Sequence, residues 1–353
     1  MKNGKLALVL AVAVGLAHAV LAATNVLGIV YSTVPAAEGR PATDLKLDLF
    51  VPQGEGPFPC FIYIHGGSWK AGSRKNCRYA APLDKLGWAV ASIDYRLTEG
   101  GLNPFPAQIA DCKEAIRFLR ANAARFNLDS GLFCVAGSSA GGHLAALAGV
   151  TSGYDAVCRL KPVEDPASTV AAAVVMYGPT DLREMAAPMI AFARQHPDLL
   201  PKESGEKVGP ANLRELAAPL LALSRQHPGA IPKGVEDGIA LFGTTDIDKA
   251  VELIEEASPV AYLEGHPSFR PCKRVGGARL PTAKMPRFLI LHSKGDPLVP
   301  VAQGELLHAA LEKAGGKSEL HLYDFNGHSL PPQSMAHLEA FLRSLREETA
   351  IPR

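Results

Sequence analysis

Short apolar runs recur along the chain, each about the length of one strand. Cys60–Ile64, Trp88–Ile93, Leu132–Ala136 and Ala171–Tyr177 are apolar nearly throughout. Runs of that length without alternation predict strands buried on both faces, as in a parallel sheet covered by helices. Arg287–Leu291 and Glu319–Tyr323 predict two further strands near the C-terminus. Leu45–Phe50 differs, because apolar and polar residues alternate there. That pattern predicts an edge strand with one buried face.

Helical spacing fills the intervals. One helix is expected from about Asn76 to Leu86, and another opens at Pro106 and buries Ile109, Cys112, Ile116 and Leu119. Others follow Ser139, begin near Val301, and run from about Ser334 to Arg346. Strand–helix alternation on this scale predicts an α/β fold with a mostly parallel, doubly wound sheet. Ligands in such sheets sit at the carboxyl ends of the strands, so strand-end residues carry the functional question.

Two segments stand outside this plan. Residues 1–23 start with Lys2 and Lys5, continue as an uncharged apolar stretch from Leu6, and offer small-residue sites at Ala17-His18-Ala19 and Ala22-Ala23. This is the pattern of a secretory signal peptide, with an uncleaved membrane anchor as the alternative. Export to the periplasm or the extracellular space follows, with no membrane span after cleavage. Residues 24–41 read as an extended lead-in to a domain spanning 42–353.

The second segment is an internal duplication. Asp181–Lys202 and Asn212–Lys233 are identical at 13 of 22 aligned positions. Each copy opens with Asp or Asn and a Glu three residues later, which marks a helix N-terminus. Pro188 and Pro219 interrupt each copy and should kink or restart the helix. The pair, at about 181–233, is expected to form a helical cap over the strand ends, with a neutral solvated insertion as the alternative.

Composition narrows the function classes. The 353 residues are 47% hydrophobic and 20% charged, with a formal net charge of +1. No basic block offers an electrostatic footprint for nucleic acid. Of six cysteines, Cys60, Cys112 and Cys134 lie in buried patterns, whereas Cys77, Cys158 and Cys272 fall in or near loops where one disulfide is allowed in an oxidising compartment. Their spacing matches no zinc motif.

The chemistry centres on Gly137-Ser138-Ser139-Ala140-Gly141, a Gly-x-Ser-x-Gly pattern at a strand-to-helix turn. Such a turn lifts the serine hydroxyl above the sheet and places it at a helix N-terminus, where free N–H groups stabilise negative charge. His65-Gly66-Gly67-Ser68-Trp69 follows the first core strand, and its glycines let backbone N–H groups face the same region. After the last two strands come Asp296 and then His328, the latter in a glycine loop. The order Ser139, Asp296, His328 is the one expected for a nucleophile, an orienting acid and a general base on such a sheet. Asp181 and Asp324 are the competing acids.

With these motifs the chain resembles an α/β-hydrolase of the esterase/lipase group, close to its hormone-sensitive-lipase-like and feruloyl-esterase-like branches. The similarity also includes Ser92–Leu97 and Ala257–Val260, and spans about residues 42–345. It implies Ser139 as nucleophile, His328 as base, Asp296 as acid, and the amides of Gly66, Gly67 and Ala140 as an oxyanion hole. It implies a small-molecule ester substrate and neither metal nor organic cofactor. Ser68 stands where these families often carry a third glycine, and the duplication has no counterpart in them. Asp94 and Arg96 read as an internal ion pair bracing the pocket wall. A serine peptidase of the same fold acting on short peptides is the alternative enzyme, and a non-catalytic binding protein on this scaffold is the alternative outside catalysis.

Overall fold

The computed structural model describes residues 25–36, 41–98, 102–154, 164–187, 241–242, 247–264 and 285–350. The expected signal peptide and the duplication beyond residue 187 lie outside the described residues. Eight strands form one sheet: β1 (Val26–Val34), β2 (Thr43–Phe50), β3 (Phe58–Ile64), β4 (Ala89–Ile93), β5 (Leu128–Ser138), β6 (Ala172–Met176), β7 (Arg287–Gly295) and β8 (Ser318–Asn326). Their spatial order is β1-β2-β4-β3-β5-β6-β7-β8. β2 pairs antiparallel with both β1 and β4, and every later pairing is parallel.

Side-chain alternation divides the core. On β3, Cys60, Ile62 and Ile64 face one layer, built from α2 (Ala107–Ala121), α3 (Ala140–Val150) and α6 (Ala302–Lys313), while Phe61 and Tyr63 face the other. That second layer is α1 (Ala80–Asp84) and α7 (Ser334–Ala350), which contribute Leu83, Leu338, Phe341, Leu342 and Leu345. α4 (Ile247–Glu256) and α5 (Pro259–Glu264) lie between β6 and β7 in sequence. Because both sheet faces are covered, β3 and β4 are buried along their whole length, and the alternation seen in Leu45–Phe50 is absent from them. Each large apolar side chain so buried is worth about 1.5–3 kcal/mol.

Three expectations are corrected. Leu45–Phe50 is not an edge, because residues 26–34 of the supposed lead-in form a further strand outside it. β1 is hard to see in sequence. Gly28, Ser32 and Thr33 break its apolar pattern, and Val26, Leu27 and Val30 are exposed. It is anchored by the buried Tyr31, whose hydroxyl donates to the Asp94 carbonyl at 2.6 Å. The helix expected over Asn76–Leu86 shrinks to Ala80–Asp84. Pro82 fits only a first helical turn, and Gly87, at φ 68°, closes the segment. Asp94 and Arg96 do not pair with each other. Asp94 binds Arg74 at 2.7 Å, and Arg96 binds Asp111 at 2.7 Å.

Cys60, Cys112 and Cys134 are buried free thiols, and Cys77 is free as well; Cys158 and Cys272 lie outside the described residues. Among the described residues no helix is long and apolar enough to cross a membrane.

Candidate active site

The turn after β5 holds Ser139 at φ 54° and ψ −123°, an unfavourable conformation for a residue with a Cβ. The surroundings impose it. A Cβ on Gly141 would stand 2.1 Å from the Ile64 carbonyl oxygen, so only glycine lets the helix start this close to β3. The Ser139 amide donates to the Met176 carbonyl at 2.9 Å, and its carbonyl accepts from His143 at 3.0 Å as the helix begins.

Two loops at the same end of the sheet deliver the other groups. The Gly327 amide donates to the Gly295 carbonyl at 3.1 Å, and the Ser293 hydroxyl donates to the Ser329 carbonyl at 2.6 Å. These bonds tie the loops after β7 and β8 together on either side of Asp296 and His328. The His328 Nδ1 lies 2.8 Å from Asp296 Oδ2, and its Nε2 lies 2.7 Å from the Ser139 hydroxyl. A carboxylate only accepts, so Nδ1 carries the proton and Nε2 presents its lone pair to the serine. The other carboxylate oxygen of Asp296 accepts the amides of Leu298 at 2.9 Å and Val299 at 3.0 Å, and its side chain is fully buried. These contacts join the Ser139 hydroxyl, the His328 imidazole and the Asp296 carboxylate in one hydrogen-bonded line, an arrangement able to accept a proton from the serine.

The competing acids are elsewhere. Asp181 is held by Arg183, and its Oδ1 accepts the Arg183 amide at 3.0 Å as the helix at 182–187 begins. This is the helix start that its sequence position predicts. Asp324 is largely exposed and pairs with Lys294 at 2.8 Å.

Gly66 packs directly on the Ser139 turn. A Cβ there would lie 2.8 Å from the Ser138 carbonyl and 3.3 Å from the Ser139 Cβ. Gly67 sits at φ 121°, and its carbonyl accepts from Lys70 and Ala71 at 3.1 and 2.9 Å, which closes a tight loop. Ser68, the residue standing where a third glycine was expected, adopts φ 52° all the same, and Trp69 adopts φ 57°. Ala140 is the first residue of α3, so its amide has no acceptor within the helix.

Several residues brought to the site carried no clear signal of their own. Trp69 donates through Nε1 to His143 Nδ1 at 3.1 Å, and His143 Nε2 donates to the Ala257 carbonyl at 2.6 Å. Burial pushes the His143 imidazole down to about 4, against the opposing pull of the Ala257 bond. It is therefore a neutral link between the glycine loop, α3 and the turn before α5. Arg74 bridges Asp48 at 2.9 Å and Asp94 at 2.7 Å, behind the same loop. The His292 Nε2 donates to the Val299 carbonyl at 3.0 Å, which supports the loop that binds Asp296. A cavity of about 470 Å³ borders the glycine loop between His65, Leu45, Asp94 and Arg96. Of its charged lining residues, Asp94 pairs with Arg74 and Arg96 with Asp111, while Asp44 accepts the Thr33 hydroxyl at 2.9 Å. Among the described residues no three His, Cys, Asp or Glu side chains are placed to hold a metal ion.

Comparison with known proteins adds to this geometry. The BD-FAE family model matches residues 47–239, more than half of the chain, and the Phospholipase/Carboxylesterase model matches residues 275–346. Esterase LipC of Mycobacterium tuberculosis is 40% identical over 134 residues, which is 37% of this chain and 32% of LipC. Esterase LipQ of the same organism is 27% identical over 260 residues, 73% of this chain and 46% of LipQ. The chain thus spans less than half the length of either relative. A solved structure described as a truncated form of a carbohydrate esterase from gut microbiota superposes with a TM-score of 0.63. The match covers 92% of this chain and 96% of that one at 23% identity, a likeness of fold.

Proposed function

The chain belongs to the BD-FAE family and has the α/β-hydrolase fold, and from that premise we propose that it is a serine hydrolase of carboxylic esters. The observation that carries the proposal is the continuous hydrogen-bonded chain from Ser139 through His328 to Asp296, at 2.7 and 2.8 Å, on a strained turn. Serine is a weak nucleophile until a base removes its proton, and His328 is placed to do so. Ser139 then attacks the ester carbonyl. The amides of Gly66, Gly67 and Ala140 line the region where the oxyanion forms, and one such donor is worth about 3 kcal/mol of transition-state stabilisation. His328 passes its proton to the departing alcohol. Water repeats the sequence on the acyl-enzyme and regenerates Ser139.

The substrate class follows from the neighbours in kind. Esterases among the sequence relatives and a carbohydrate esterase among the structures support a small-molecule ester, with acylated sugars and simple acyl esters as the leading candidates. The N-terminal pattern of residues 1–23 supports export of the enzyme, and the proposal includes the duplicated segment at 181–233 as its cap. A panel of p-nitrophenyl esters of graded chain length, run beside acetylated and feruloylated sugars, tests the reading. Hydrolysis of at least one ester class that disappears on fluorophosphonate treatment is expected. Absence of both hydrolysis and labelling in folded protein contradicts it.

A further inference from the structure

Tyr177 follows β6 directly, and its backbone sits at φ 39°. A bulky residue avoids that region, and strain of this kind persists only where the surroundings enforce it, often at functional sites. Here they do. The Tyr177 amide donates to the Leu291 carbonyl at 2.8 Å. The next residue, Gly178, is pressed so close to α3 that a Cβ would lie 2.6 Å from the His143 nitrogen. The chain is clamped on both sides of the strained residue.

The strained backbone sets the phenol where its hydroxyl meets the Ser138 side chain. It carries the phenol ring to the His328 imidazole, with ring centroids 4.9 Å apart and planes at 75°. This edge-to-face geometry lies within the favourable range for aromatic pairs. Burial raises the phenol pKa above its ordinary value, so the ring stays neutral beside the relay.

We propose that Tyr177 is a positioning residue whose ring fixes the orientation of the His328 imidazole between Ser139 and Asp296. This rests on the reading of His328 as general base. His328 hangs from a loop opened by Gly327, which sits at φ 142°, and its side chain is 20% exposed. Its two hydrogen bonds leave from the two ring nitrogens, and neither presses on the face or edge between them. Tyr177 supplies that lateral wall. The groups around the imidazole are then Asp296 at Nδ1, Ser139 at Nε2 and Tyr177 at the side. His292 lies behind, 3.7 Å from the Asp296 carboxylate, and the charge of Arg78 acts on the phenol.

The test compares Tyr177→Phe, Tyr177→Leu and Tyr177→Asn in the full-length enzyme by steady-state ester hydrolysis. Phe keeps the ring and is expected to hold kcat within about threefold. Leu and Asn are expected to lower kcat by roughly tenfold to a hundredfold with little change in KM, the scale of a displaced reacting group. Asn tolerates the left-handed backbone, so it remains informative if Leu impairs folding. Full activity of a folded Leu or Asn variant overturns the proposal, and so does a rise in KM at constant kcat. If Ser139→Ala abolishes hydrolysis while Tyr177→Asn does not affect it, only this inference fails; if Ser139→Ala remains active, the triad reading fails first.

Discussion

Trp69 and His143 are joined by one buried hydrogen bond of 3.1 Å, which ties the glycine loop after β3 to the helix that follows Ser139. The bond requires a bare Nδ1 on His143, while Nε2 donates to Ala257. A neutral imidazole is thus built into the wall of the site.

This predicts acid sensitivity with a definite sign. Burial lowers the His143 pKa from 6.5 to about 4 in the folded protein. Between those values the unfolded chain binds more protons, so folding stability is complete above about pH 6.5 and is lost as pH falls toward 4. The loss from this group is on the order of 3 kcal/mol. His65 and His292 are shifted downward by burial as well and add to the slope. Urea unfolding at pH 7.5 and pH 4.5 measures it, and His143→Asn should flatten the dependence. Equal slopes in the two proteins would remove His143 from the account.

The meeting of Ser139, His328 and Asp296 is legible in the sequence. The Gly-x-Ser-x-Gly turn, the glycine loop and the order of Ser139, Asp296 and His328 are local patterns fixed to strand ends, and parallel strands bring their ends together. Partner choice was less legible. Asp94 and Arg96 sit two residues apart on a chain leaving β4, so they look like neighbours, yet they bond in different directions to Arg74 and Asp111. Trp69 belongs to the glycine-loop motif and His143 to the helix after Ser139, and spacing alone does not reveal a contact across 74 residues. β1 escaped because an edge strand exposes apolar residues and needs no alternation to pair on one side.

The glycine loop offers a sharper test of the oxyanion region. A methyl group on Gly66 would press against the Ser138 carbonyl at 2.8 Å and the Ser139 Cβ at 3.3 Å. Gly66→Ala is expected to push the loop away from the nucleophile and lower kcat by roughly a hundredfold to a thousandfold, the scale of losing one oxyanion donor. Steady-state kinetics beside thermal unfolding checks it. A folded variant with unchanged kcat would mean that this loop does not serve the reaction.

The acid can be assigned by a pair of isosteric changes. Asp296→Asn removes the charge that holds the proton on His328 Nδ1 and is expected to cost about 10⁴-fold in kcat, as in a serine protease with the same change. Asp324→Asn touches only an exposed pair with Lys294 and should leave kcat within about twofold. The reverse ranking would transfer the role to Asp324.

The central claim is that Ser139 is the acylated nucleophile, and intact-mass spectrometry after a fluorophosphonate, paired with ester kinetics, addresses it most directly. One adduct per chain is expected, on the peptide that contains Ser139. Ser139→Ala should take up no label and lose about a millionfold in turnover, the scale seen when a comparable enzyme loses its serine. Ester hydrolysis by folded Ser139→Ala at the wild-type rate, or an adduct on another residue with Ser139 unmodified, would contradict the account.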